Sequence, residues 1–166
     1  EVVALCQVLN PENQPGRLIL ISRMGAIQVE KTLPPLLDAV RRAQIWVLWV
    51  CDPMHGNTVT LADGKKTRSF ESIVDEIDKT FDAHAASGTI LGGVHLELSP
   101  NEVTECVGGG VEEGDLSRAY VTRCDPRLNY AQALEMAFVI ARRLRQDERS
   151  SLRRNGLARR SHPILR

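Results

Sequence analysis

Four apolar, strand-like segments in this chain end close to a side chain that can hold a metal or an anion. Arg23 follows residues 17–22, His55 follows 45–50, Glu97 closes 94–98 and Asp125 follows 119–124. One imidazole and two carboxylates suit Mn, Fe, Co or Zn better than Ca or Mg alone. Taken singly, His55 reads as a hydrogen-bonded loop histidine, and Asp125, ahead of Pro126, reads as a turn residue. Glu97 is harder to place without a partner, because Leu96 and Leu98 flank its carboxylate. The trio at matching strand ends is what points to a metal. Arg23 can fork onto a phosphate or pair with one of the acidic strand ends. Lys66 and Arg68, beyond a hairpin turn expected at Asp63-Gly64, either meet a phosphate or form a solvated charge pair.

These side chains need a scaffold that brings strand ends together. The run Ile45-Trp-Val-Leu-Trp-Val50 is continuously apolar, as in parallel sheets covered on both faces. Leu33, Leu36, Leu37 and Val40 lie on one helical stripe, with Pro34 and Pro35 suited to its start. Phe70, Ile73, Val74, Ile77 and Phe81 repeat that spacing after Ser69, an expected N-cap. Ser99-Pro-Asn-Glu102 predicts a short helix stopped by Gly108. Asn129 should cap a last helix whose apolar face is Leu134, Ala137, Phe138 and Ala141, and residues 1–10 read as a helix end closed by Asn10-Pro11.

A leading helix and four β-α units predict a parallel α/β sheet with right-handed crossovers. That is half of an eight-stranded barrel, whose reactive groups gather at the carboxyl ends of its strands. An open doubly wound sheet is the rival, but Gly108-Gly-Gly110 is no G-x-G-x-x-G turn.

Composition narrows the class further. The chain has 166 residues, 43% hydrophobic and 25% charged, with a formal net charge of zero, which excludes disordered and fibrous proteins. No apolar run reaches the ~20 residues of a membrane helix. Four cysteines without C-x-x-C spacing suit a reducing cytoplasm rather than a disulfide scaffold. Residues 142–166 carry nine arginines against Asp147 and Glu148, so 147–166 are expected to be a basic, flexible tail. Such a run reads first as a solvated end and only second as a nucleic-acid contact. The chain opens at Glu1 rather than Met, from which a preceding segment is expected.

The stretches Ile21-Ser-Arg-Met-Gly25, Leu33-Pro-Pro-Leu-Leu37, Trp49-Val-Cys-Asp-Pro-Met-His-Gly-Asn-Thr58, Lys66-Thr-Arg68, Asn101-Glu-Val-Thr-Glu-Cys106 and Cys124-Asp-Pro-Arg-Leu-Asn129 resemble the class II (plant-type) 3-deoxy-D-arabino-heptulosonate 7-phosphate (DAHP) synthases. The resemblance runs from residue 1 to about residue 146. It implies the C-terminal half, the fifth to eighth β-α units, of a (β/α)8 TIM barrel over 1–146. It also implies condensation of phosphoenolpyruvate with erythrose 4-phosphate, the first step of the shikimate pathway. A divalent metal such as Mn or Co would lie on His55, Glu97 and Asp125, with His55 or Glu97 also relaying protons. Arg23 would grip the phosphoenolpyruvate phosphate. The family's metal cysteine lies on an earlier strand, so Cys124 is not assigned that role. Homo-oligomers are common in the family, and the location implied is the cytoplasm, or the plastid in a plant. The rival functional readings are another metal-dependent barrel lyase or hydrolase acting on a phosphorylated carbonyl substrate, and a catalytically inactive piece with an interaction role.

Overall fold

The computed structural model describes residues 1–160, with side chains through residue 146. At its centre is a parallel three-stranded sheet in the order β1-β2-β5. β1 is Ile19–Ser22, β2 is Leu48–Cys51 and β5 is Leu91–Val94. Ile19 pairs with Leu48 and Ser22 with Cys51, while the β2–β5 register shifts between Trp49 and Val50. α1 (Val2–Leu9) leads the sheet and ends where Asn10 N–H bonds back to the Cys6 carbonyl.

α2 spans Val29–Arg42, so it starts before the two prolines expected to open it. Pro34 and Pro35 each remove one helical N–H. What extends the helix toward its N-terminus is burial: Val29, Leu33, Leu37 and Val40 form one core stripe against Trp49. α3 (Phe70–Ser87) begins as predicted, with the Ser69 hydroxyl accepting from Ser72 N–H at 3.2 Å, and ends at Gly88 in the left-handed region. Ile73, Ile77 and Phe81 then pack with Cys51, Met54 and Met136 in the main core. Between β2 and α3, β3 (Thr58–Thr60) and β4 (Lys66–Arg68) form the antiparallel hairpin expected around Asp63-Gly64.

Three further expectations about strands and helices need correction. The third strand is Leu91–Val94, not 94–98, and its Gly92 and Gly93 hid it from a propensity reading. A Cβ on Gly92 would meet the tip of the Leu48 side chain on the adjacent strand, which would have to shift. Residues 119–124 form no strand; in place of a fourth strand an isolated parallel bridge joins Leu98 to Leu128. The helix expected after Ser99 is also missing. Its backbone is taken by tertiary partners instead: Val107 N–H bonds the Arg68 carbonyl, and the Val103 and Cys106 carbonyls accept from Asn129 and Gln132.

α4 (Tyr130–Arg160) opens with a reciprocal cap, Gln132 N–H to Asn129 Oδ1 at 2.9 Å and Asn129 N–H to Gln132 Oε1 at 3.0 Å. Because buried Gln132 also reaches the Cys106 and Gly108 carbonyls, the helix turns Gln132 and Met136 inward. Leu134 and Phe138, expected on its core face, are exposed. The helix continues past residue 146, where the basic tail was expected to begin. The side chains of 147–160 and all of 161–166, and with them that expectation, lie outside the described residues.

The sheet is unequally covered. Trp49, Cys51 and Leu91 are buried beneath the helices, whereas Ile19, Ile21 and Leu48 on the opposite face are 44–54% exposed. Among the described residues no helix is long and apolar enough to cross a membrane.

Candidate metal centre

Each expected site residue stands beyond the carboxyl end of the sheet. Arg23 directly follows β1, His55 lies four residues past β2 and Glu97 three residues past β5. Asp125 sits in the irregular loop between residue 119 and α4. His55, Glu97 and Asp125 each offer one ligand atom, and the three atoms lie within 4.8 Å of one another. Two donors on one cation are separated by on the order of 3–4 Å, given metal–donor bonds near 2.0–2.2 Å. The three therefore need only a small inward adjustment to share an ion. All three are partly buried. The set combines one nitrogen with two carboxylates and fits a divalent transition metal.

The sequence reading missed Asp52, which organises one side of this centre. It follows β2 directly and is fully buried. Its carboxylate accepts from His55 Nδ1 at 2.7 Å and from the backbone N–H groups of Met54 (3.0 Å) and His55 (3.3 Å). Arg23 adds an ion pair at 2.9 Å on the oxygen that also receives Nδ1. Burial by itself pushes Asp52 up, but the hydrogen bonds from His55 and from the backbone outweigh it and leave the carboxyl below its usual range. Arg23 thus pairs with an acid at a strand end, one of the two roles open to it, and its side chain remains 53% exposed. His55 Nε2 lies 3.7 Å from Glu97 Oε1.

Arg68 organises the other side. It is fully buried, donates to Thr58 Oγ1 at 2.7 Å and to the Pro126 carbonyl at 2.5 Å, and forms an ion pair with Glu97. The reading of Arg68 as a solvated charge is therefore corrected: it is fully buried, its Nε and Nη1 hold Thr58, the glutamate and the loop bearing Asp125, and its Nη2 has no partner among the described residues. Lys66 pairs with Asp125 at 3.0 Å, and this hydrogen bond holds the Asp125 carboxyl below its ordinary value. Cys124 Sγ lies 3.5 Å from Asp125 but is exposed.

Two more buried carboxylates shape the loops. Glu105 accepts from the Arg127 guanidinium at 2.8 and 2.9 Å and from the N–H groups of Thr122 and Arg127. The loop carrying Asp125 is thereby closed around one carboxylate. Glu76, on α3, accepts from Met24 N–H, Gly25 N–H and Asn57 Nδ2, joining the loops after β1 and β2. Burial raises the Glu76 carboxyl above its ordinary value despite those donors. Asp52 had one local signal, its place three residues before His55 at a strand end. Arg68, Glu76 and Glu105 lie far in sequence from the groups they hold, so no local pattern reveals them.

Residues 1–141 match the model of the Class-II DAHP synthetase family. The chain is 49% identical over 139 residues to "Phospho-2-dehydro-3-deoxyheptonate aldolase AroG" of Mycolicibacterium smegmatis, covering 82% of this chain and 30% of that protein. It is 47% identical over 143 residues to "Phospho-2-dehydro-3-deoxyheptonate aldolase" of Streptomyces coelicolor, covering 85% and 32% respectively. The chain thus spans about a third of the length of these relatives. A family match over residues 1–141 covers most of the chain, including Arg23, His55, Glu97 and Asp125, so this chain belongs to the Class-II DAHP synthetase family.

Proposed function

We propose that this chain contributes the metal-holding and phosphate-holding side of an active site that condenses phosphoenolpyruvate with erythrose 4-phosphate. The convergence of His55, Glu97 and Asp125 beyond the sheet, within a segment of the matching family, carries this reading. The chain takes the place of the fifth to eighth β-α units of a (β/α)8 barrel over residues 1–146, followed by a basic tail over 147–166. The half-exposed Ile19, Ile21 and Leu48 support this, because strands closing a barrel would cover that face. The whole enzyme is a cytoplasmic homo-oligomer in this reading. Unpaired cysteines, three of the four buried, fit such a reducing setting.

His55, Glu97 and Asp125 would hold a divalent cation such as Mn or Co, which supplies the Lewis acidity that polarises the sugar aldehyde. Arg23, anchored by Asp52, presents its guanidinium to the phosphate of phosphoenolpyruvate and favours the charge that gathers there on departure. The CH2 carbon of phosphoenolpyruvate bonds to the aldehyde carbon, and the aldehyde oxygen takes a proton. Water adds to the electron-poor C2 and gives up one proton; the C2–O bond to phosphate then breaks as the remaining hydroxyl proton passes to the departing phosphate and C2 becomes a carbonyl. Of the two groups expected to relay protons, Glu97 is the one left to carry them, since both ring nitrogens of His55 are taken by Asp52 and the cation in this reading.

The test replaces the matching segment of the Mycolicibacterium smegmatis relative with this chain and follows phosphate release. Release that needs both phosphoenolpyruvate and erythrose 4-phosphate, and is abolished by His55→Ala, is expected. A folded, metal-binding chimera that releases no phosphate with both substrates present contradicts the proposal.

A further inference from the structure

We propose that Asp52 is a positioning residue: it selects the His55 tautomer that leaves Nε2 free to face Glu97 and Asp125. The inference rests on the metal reading of the trio given above. Asp52 is fully buried, and two of its four donors, the N–H groups of Met54 and His55, belong to the backbone turn that follows β2. The carboxylate is therefore fixed to the same turn that carries the imidazole. An ionised carboxylate is acceptor-only, so the His55 nitrogen 2.7 Å away must carry the proton. In the other tautomer two lone pairs would face each other at that distance. With the proton on Nδ1, the remaining lone pair is on Nε2, the atom 3.7 Å from Glu97 Oε1.

Arg23 reinforces the arrangement. Its guanidinium adds a second cationic donor to the oxygen that receives Nδ1, at 2.9 Å, which favours the ionised carboxylate. Glu76 has a different part. It gathers the Met24 and Gly25 N–H groups and Asn57, and none of its hydrogen bonds goes to the His55 or Arg23 side chain. Glu76 brings the two loops together; Asp52 aims the imidazole. A carboxylate on the far nitrogen of a ligand histidine fixes the ring orientation and raises its basicity, and losing it costs about 10–100-fold in metal affinity.

The experiment measures the ring nitrogen shifts of His55 by long-range 1H–15N correlation in the metal-free chain. Co2+ affinity is then measured by competition with a chelating dye for wild type and Asp52→Asn. Wild type should show the proton on Nδ1, and Asp52→Asn should show mixed tautomers with Co2+ affinity about 10–100-fold weaker. A wild-type His55 protonated on Nε2 overturns the proposal, and it does so without any variant. Equal Co2+ affinity in a folded Asp52→Asn chain also overturns it. Failure of the metal reading is separable: wild type itself would then bind no Co2+.

Discussion

Gly25 and Gly56 meet backbone to backbone. A Cβ on Gly25 would lie 2.6 Å from the Gly56 carbonyl oxygen, and one on Gly56 would lie 2.8 Å from Gly25 Cα. Gly25 also has φ of +81°, a conformation that other residues adopt only under strain. These glycines let the loop carrying Arg23 and the loop carrying His55 touch, and Asn57 completes the joint by accepting from Ala26 N–H at 3.0 Å.

Gly56→Ala should therefore destabilise the chain by about 1–3 kcal/mol, the usual range for inserting a methyl group into a filled space. Because the obstruction is backbone, the loops must part, and Co2+ affinity should fall with stability. Chemical denaturation and Co2+ titration check this. An alanine variant matching wild type in both would show that the two loops do not depend on close approach.

His84 should make stability fall in mild acid. Burial pushes its imidazole down to about 4, while an unfolded chain titrates it near 6.5. Its contribution is complete above pH 6.5 and is lost as pH falls toward 4, reaching roughly 3 kcal/mol at most. The cause lies in the surroundings: Nδ1 bonds Thr89 Oγ1 at 2.8 Å, Nε2 is buried without a partner, and Trp49 meets the ring edge-on. Denaturant midpoints at pH 7.5 and 5 should differ for wild type, and differ less for His84→Gln. Glu76, raised by burial, acts with the opposite sign and offsets part of the loss in both proteins. An unchanged pH dependence in His84→Gln would assign the acid sensitivity elsewhere.

Glu105→Gln should loosen the loop bearing Asp125. Breaking a buried charge pair costs about 3–5 kcal/mol, but Arg127 is one-third exposed, so about 2 kcal/mol is expected. Burial pushes Glu105 up, yet Arg127 more than compensates and its carboxyl lies below the ordinary range. The pair therefore stabilises above the unfolded carboxyl pKa and is lost as pH falls through the lower folded value. Limited proteolysis should cut residues 119–127 faster in the variant. Unchanged cleavage would mean that the loop is held by other contacts.

Arg23 and His55 were legible because each follows a parallel strand whose apolar run is local in sequence, whereas Asp125 follows no strand and lies in a loop held by long-range contacts. The Ser69 and Asn129 caps and the Asp63-Gly64 hairpin were legible for a related reason, since their signals are local. Where long-range contacts decide, the reading failed. Gly92 and Gly93 look like loop residues until Leu48 is seen beside them, and the helix signal at Ser99 loses to carbonyl partners on Asn129 and Gln132. α4 turned differently from its apolar pattern because Gln132, a polar residue, has two carbonyls to satisfy. Arg68 looked like a surface charge for want of any local sign that Glu97 and Pro126 surround it.

The visible absorption of bound Co2+ tests most directly whether His55, Glu97 and Asp125 share one ion. Titrating the chain with Co2+ should give a saturable ligand-field band at one equivalent, lost in Glu97→Ala and in His55→Ala while both variants remain folded. A band of the same strength and affinity in those variants would contradict a centre built from His55, Glu97 and Asp125.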